Sequence, residues 1–475
     1  MIRYLSFVAR YSFLFFAVSL FLIIPPNAGS DELWSARSAW YLVENPGQLF
    51  QKSQIINYSF PGSLSMESEI PGQGIPYPCF FENDSTPSSC QELLEDDIFQ
   101  KGQLDRVFRS PLFYFFVGFG MKIDVLDNIY WSGKLFAFLI NLFILMLGYR
   151  LLQKLEQNSL RNFQAFAMSL LPIYFFSITT ISPISFEISC AFLFVSSILH
   201  ANSGTSEFGN KRARFIFVGF TSLLFALSRP IGGIWGMLLL ATVFTLTKPN
   251  LRVIRFSIFS LLVGLLIQTR IDNSSWRFGN GEKYNIDPSL QFYLEESVRV
   301  AVNIGNWSRQ VFGLWTFGAA PELPSILTLT SFSIFSFLIY WFYVQNQSRK
   351  VFLSFFLFAT LIVPYLFSLV FAAQWPMWWS GRYQLPYLLP CAYLLSLQLT
   401  LSRLRLLYVL SILVLTLSYI VIFSRFNWGL YANGTPVLQN GIGFSISQIL
   451  LSITCFFSWL FLSIFMYKDN FKKVY

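Results

Sequence analysis

"YSFLFFAVSLFLIIPPNAGSDELWSARSAWYL", residues 11–42, decides how the rest of the chain is read. Its first half is an apolar run that Pro25 and Pro26 bring to a stop. Its second half opens on two adjacent acids, Asp31 and Glu32, and then spaces Leu33, Ala36, Trp40 and Val43 on one helical stripe. Counted over 8–26, the span comes close to the roughly 20 residues that a hydrocarbon core requires. It has no clear small-residue cleavage site before the acids, so it reads as a retained first span rather than a cleaved leader. The acids therefore sit where the chain leaves the membrane.

The same reading extends along all 475 residues, of which 54% are hydrophobic, 19% aromatic and only 12% charged. That charged share is about half of what soluble domains carry, and the mean hydropathy is +0.54. Lipid is the main solvent. The chain reads as a single all-α integral membrane domain, 1–475, with about twelve transmembrane helices. These are expected near 8–26, 130–150, 163–181, 185–201, 214–229, 231–247, 253–269, 324–344, 350–372, 385–400, 404–424 and 444–467, with 214–247 open to a second reading as one broken hairpin at "SRPIGG".

The formal charge of +9 does not point to nucleic acid. Basic residues cluster in every alternate short connection, from Arg3 and Arg10 to Lys468, Lys472 and Lys473. That pattern orients a membrane protein and puts both termini in the cytoplasm. One His and five Cys leave little room for a Cys/His metal site. The opposite side then carries a long first loop, 28–129, holding about half of the 24 acids, a second loop at 270–323 and shorter ones that include 425–443. No internal repeat is visible, which argues against a transporter built from two matched halves.

Several residues invite chemistry. Two neighbouring carboxylates at an interface, Asp31 and Glu32, suit a general base or an oxygen-ligated divalent cation; they equally suit the cap and first turn of a helix starting at Glu32. Arg229 in "ALSRPIGG" and Arg382 in "WWSGRYQLP" fall at span ends on the side where basic residues are otherwise scarce. A forked guanidinium there suits a phosphate, though long side chains also snorkel to headgroups. Arg109, before "SPLFYFF", has the same two readings. Glu187 is costly in a span unless paired or wet. Trp34, Trp315 and Trp379 can stack on sugar faces or form an ordinary interfacial belt. Cys79 and Cys90, in "YPCFFENDSTPSSC", read as a disulfide or as two free thiols, a bridge contributing about 3 kcal/mol.

Taken together, these motifs resemble the bacterial membrane-protein family known as domain of unknown function 2142, itself similar to the C-type glycosyltransferase superfamily. The resemblance rests on the Asp31–Glu32 pair after a first span, on "IPYPCFFENDSTPSSC", on "RSPLFYFFVG" with Ser110 where a proline is usual, and on "SLLPIYFFSITTISPISFEIS", which supplies Pro172, Pro183 and Glu187. It extends through "LSRPIG", with Arg229 in place of the usual lysine, and "SGRYQLP", with Gly381, Arg382, Tyr383 and Pro386. Two departures stand out: no histidine follows the acid pair near Ser35, and "QVFGLWTFGAAPELP" lacks an expected aspartate.

The resemblance implies a large first extracytoplasmic loop with interfacial helices and a catalytic acid just after the first span. It implies hexosyl or pentosyl transfer from a polyprenyl-phosphate-linked sugar to a glycan, lipid or protein acceptor at a bacterial inner membrane. Asp31 and Glu32 are the expected catalytic pair, and Arg109, Glu187, Arg229, Arg382 and Tyr383 the expected donor-binding residues, with a divalent cation as an optional addition. The competing reading is a polysaccharide polymerase or a lipid-linked glycan flippase, and a non-catalytic scaffold is the third.

Overall fold

Inside a bilayer no water is at hand for backbone groups, so an apolar run must satisfy its own N–H and C=O groups by forming a helix. The computed structural model follows that rule nearly throughout. It describes residues 7–25, 28, 32–48, 56–61, 64, 99–104, 110–155, 159–203, 211–247, 250–271, 289–302, 304–313, 323–345, 350–366, 381–427 and 446–471.

In chain order the helices begin with α1 (Phe13–Ile23), α2 (Glu32–Glu44), α3 (Pro111–Ile123), α4 (Ile129–Leu155), α5 (Ser159–Ser169), α6 (Pro172–Ile178), α7 (Pro183–Asn202) and α8 (Lys211–Ser228). They continue with α9 (Gly232–Leu246), α10 (Leu251–Ile271), α11 (Leu290–Val302), α12 (Ile304–Phe312), α13 (Ser325–Gln345), α14 (Lys350–Leu357), α15 (Leu385–Ser396), α16 (Leu401–Asn427) and α17 (Ile446–Phe471). Six of the described helices are long and apolar enough to cross a membrane: α4, α7, α10, α13, α16 and α17. The other apolar segments are shorter.

Three differences from the sequence expectation have physical causes. The span expected at 163–181 is two helices, because Pro172 has no N–H to give the preceding turn and opens α6 instead. The stretch expected as the second long loop, 270–323, contains two helices, α11 and α12. On α11, Leu290, Leu294 and Val298 repeat every four residues and lie exposed on one stripe, as a short surface helix in a membrane protein presents to lipid. The first loop carries the expected short helices α2 and α3, and in addition an antiparallel ribbon, β1 (Ile56–Pro61) against β2 (Phe99–Leu104), in register from Ile56–Leu104 to Pro61–Phe99. Cys79 and Cys90 lie outside the described residues; Cys190, Cys391 and Cys455 are free thiols.

The centre of the bundle is α7, whose apolar window is 89% buried against 28% for α10 and for α13. It packs on α4, α8 and α15. Its sequence, "PISFEISCAFLFVSSILHAN", explains the close approach, since small residues let backbones meet. Its serines return their hydroxyls to carbonyls within the helix, Ser185 Oγ to Ser182 O at 2.6 Å and Ser196 Oγ to Phe192 O at 2.6 Å. Across the interface Asn141 Nδ2 donates to Ser185 Oγ at 2.9 Å; such bonds between membrane helices average about 0.6 kcal/mol. Elsewhere the packing is aromatic. Phe16 of α1 meets Phe175 of α6 at 4.8 Å and Trp459 of α17 at 4.5 Å between ring centroids.

Candidate active site

The motifs read from the sequence meet at one end of the bundle. Pro183 starts α7, and Glu187 follows four residues on, about 6 Å along the axis at 1.5 Å per residue. Glu187 is fully buried. Its Oε2 lies 3.5 Å from Nη1 of Arg229, in the three-residue turn between α8 and α9. That turn is tight: a Cβ on Gly232 would fall on the Phe225 carbonyl oxygen, so glycine lets α9 fold back against α8. The Arg229 guanidinium also lies 5.0 Å from the centroid of the Tyr383 ring, and Arg382 lies over the same ring at 5.4 Å. Tyr383 thus offers its ring to both cations.

Two further contacts bring in the start of α3. Ser110 Oγ donates to the Ser228 carbonyl, the residue before Arg229. Phe113 packs on Phe186, the residue before Glu187, at 5.6 Å between centroids. The acid-pair motif joins through the corner between α6 and α7, where the backbone N–H of Ile181 donates to Oε1 of Glu32 at 2.9 Å. So Glu32, Ser110, Phe113, Glu187, Arg229 and Tyr383, drawn from five motifs scattered over some 350 residues, are linked through these contacts (residue 32 to residue 383).

Among the described residues the buried cations are Arg37, Lys134, Arg229, Arg382 and Arg425, and the buried carboxylates Glu32, Glu187 and Glu296. Neither Nε nor Nη1 of Arg229 makes a hydrogen bond with the described residues, and neither does either oxygen of Glu187. Their 3.5 Å contact is ionic only. A buried guanidinium with unspent donors is costly, and a phosphate oxygen would satisfy it.

Of the residues singled out by sequence, Glu32, Glu187, Arg229, Arg382 and Tyr383 come together. Trp34 is half-buried and packs against the hydrophobic core rather than standing free. Asp31, Arg109, Trp315 and Trp379 lie outside the described residues. No group of three potential metal-ligating His, Cys, Asp or Glu side chains occurs among the described residues.

Two buried cations in apolar runs escaped the sequence reading, as did Arg37 of α2, whose Nε donates to the Leu64 carbonyl at 2.8 Å. Lys134, in "IYWSGKLFAFL", is fully buried near the start of α4, where its Nζ donates to the Ile24 carbonyl. Arg425 is fully buried at the end of α16, where the adjacent Phe426 stacks on Phe176 of α6. The signal was present in both cases: a charge inside an apolar run is expensive and marks a partner.

The opposite end of the bundle is basic. Tyr11 Oη donates to Gln153 Oε1 at 3.2 Å, and Arg161 Nη2 donates to the carbonyls of Leu397 at 2.6 Å and Leu399 at 2.9 Å. Arg10, Arg214, Arg403 and Arg405 lie at the corresponding helix ends.

Comparison with known proteins gives the following. Residues 13–395 match the family described as "Predicted membrane protein (DUF2142)". The fold is similar to that of ArnT from Cupriavidus metallidurans in the apo state, at 12% identity and a TM-score of 0.46, covering 98% of this chain and 75% of that one. It is also similar to the oligosaccharyltransferase of Archaeoglobus fulgidus in the apo form, at 13% identity and a TM-score of 0.41, covering 90% of this chain and 56% of that one. Among curated proteins nothing matches.

Proposed function

The chain belongs to the DUF2142 family of membrane proteins, and on that premise we propose that it is a membrane glycosyltransferase. It moves a sugar from a polyprenyl-phosphate carrier to a glycan, lipid or protein acceptor on the extracytoplasmic face of a bacterial inner membrane, with both termini in the cytoplasm. The observation that carries the reading is Arg229: buried, held by Glu187 on one side and the Tyr383 ring on another, with hydrogen-bond donors unspent.

In the proposed reaction the acceptor hydroxyl attacks the anomeric carbon while Asp31 takes up its proton. The bond from that carbon to the phosphate oxygen breaks, and its electron pair stays on the leaving phosphate. Arg229 and Arg382, joined by Arg109, neutralise the charge that develops there. Glu187 orients Arg229 and offsets its charge in the resting state. The Tyr383 ring lies within reach of both guanidinium groups and adds a cation–π contact that helps hold them in place for an anion. Attack opposite the leaving phosphate inverts the anomeric centre.

A deletion strain tests this whatever the sugar is. Loss of the protein should accumulate one lipid-linked intermediate in the glycan profile. Wild-type protein should clear it, and Asp31→Asn, expressed at the same level, should not. An unchanged profile on deletion, or full complementation by Asp31→Asn, would sink the assignment.

A further inference from the structure

The three buried hydroxyls of α15 are all paired: Tyr387 with Thr242 of α9 at 2.7 Å, Tyr393 with Asn162 of α5 at 2.6 Å, and Ser396 with the Ala392 carbonyl at 2.5 Å. The residue that leads into the same helix is not. Gln384 is 1% exposed, and neither its Oε1 nor its Nε2 has a hydrogen-bond partner among the described residues. It occupies the cap position of α15, yet its side chain makes no capping bond. Burying a primary amide with nothing to bond lowers stability. An apolar side chain of similar volume would avoid that cost. Costs of this kind are retained at functional sites, where a ligand meets them.

The position of Gln384 says which ligand. It closes the short 3₁₀ turn Gly381–Gln384, which carries Arg382 and Tyr383. Its Cα is therefore about 3.8 Å from that of Tyr383, whose ring Arg229 and Arg382 share. The amide borders the place proposed for the phosphate, but its chemistry is different. A phosphate oxygen only accepts, so it would satisfy Nε2 and leave Oε1 unmet. A hydroxyl both donates and accepts, and two neighbouring hydroxyls would satisfy both atoms of one amide. In a lipid-linked sugar, such hydroxyls follow directly on the phosphate.

We propose that Gln384 is a specificity-determining residue of the donor site: its amide hydrogen-bonds two neighbouring hydroxyls of the transferred sugar, beside the phosphate held by Arg229 and Arg382. This assignment rests on the glycosyltransferase reading and adds to it a contact with the sugar itself. Through it the protein tells a sugar-loaded carrier from a bare one.

The test uses the full chain in lipid nanodiscs, as wild type, Gln384→Leu and Gln164→Leu. Gln164 is likewise fully buried with an unmet amide. It lies on α5, two residues from the Asn162 that meets the far end of α15, and serves as the control. Binding is measured for undecaprenyl phosphate, bare or carrying glucose, mannose or arabinose. Wild type should bind at least one loaded carrier more tightly than the bare one. Gln384→Leu should bind that loaded carrier at least about tenfold more weakly, as the loss of two hydrogen bonds implies. Its affinity for the bare carrier should stay within twofold, and its folding constant should be no lower than that of wild type. Gln164→Leu should bind both as wild type does. Unchanged binding of the loaded carrier by Gln384→Leu would overturn the assignment. So would an equal loss for both carriers, or a lowered folding constant, which a purely structural amide would give. Wild type that binds the bare carrier as tightly as every loaded one would overturn it too, while leaving the phosphate site standing. If wild type binds no carrier at all, the glycosyltransferase reading fails and this assignment falls with it.

Discussion

Replacing Arg229 by methionine isolates the ion pair at the centre of the site. Arg229 Nη1 and Glu187 Oε2 lie 3.5 Å apart, with side-chain exposures of 10% and 0%. At an effective dielectric constant near 20, charges at that separation attract by about 5 kcal/mol. Desolvation opposes this, so the pair's net contribution is small, but removing one partner strands the other. Arg229→Met should cost about 3–5 kcal/mol, because the Glu187 carboxylate stays buried without compensation. Glu187→Gln should cost less, since the guanidinium keeps the Tyr383 ring and a little solvent. The double variant should recover much of the loss, with a coupling energy of about 2 kcal/mol or more. Equilibrium unfolding by sodium dodecyl sulfate in mixed micelles, followed by tryptophan fluorescence, measures all three. Additivity within about 0.5 kcal/mol would show that the two groups do not interact and would refute the electrostatic account of the site.

Three further substitutions probe what surrounds it. Ser110→Ala removes the donor to the Ser228 carbonyl in a fully buried contact; it should destabilise by about 1–2 kcal/mol in the same unfolding assay. Gly118→Ala should destabilise despite alanine's helix preference of up to about 1 kcal/mol. Its Cβ would meet the backbone of Ala39 where α3 packs on α2, and overpacking of that kind costs about 1–3 kcal/mol. Lys122→Ala breaks a 3.0 Å pair with Glu44 whose side chains are 57% and 32% exposed; it should change stability by less than about 1 kcal/mol, and by less still in high salt.

Much of this architecture was legible in the residues. Apolar runs of spanning length became α4, α7, α10, α13, α16 and α17, because lipid leaves such a run no other way to satisfy its backbone. Glu187, Arg229 and Arg382 stood out because charges at span ends are expensive, and the structure brings them to one place. The helix expected after the acid pair is present over Glu32–Glu44.

What stayed hidden is what depends on distant partners. Nothing local says that two arginines share the Tyr383 ring, or that Ile181 reaches back to Glu32. Hydropathy averages Lys134 into an apolar span, although a single lysine between "WSG" and "LFAF" is itself the signal. Pro172 is visible as part of a motif, yet a hydropathy window does not register the break it makes in the helix. The β1–β2 ribbon pairs residues 38 to 48 positions apart (61 with 99, 56 with 104), a register that no short window can show. The acid pair is the sharpest case: adjacency in sequence suggests a shared role, and helix geometry instead sends Glu32 into the protein.

The central claim, that this end of the bundle cleaves a sugar from a lipid phosphate, has one direct test. Purified protein in lipid nanodiscs is supplied with a polyprenyl-phosphate-linked sugar and an acceptor fraction, and the release of free polyprenyl phosphate is followed with time. The account predicts release that depends on acceptor, is abolished by Asp31→Asn and is strongly reduced by Arg229→Met. A flippase or a scaffold would release none, and release that survives Arg229→Met unchanged would contradict the site described here.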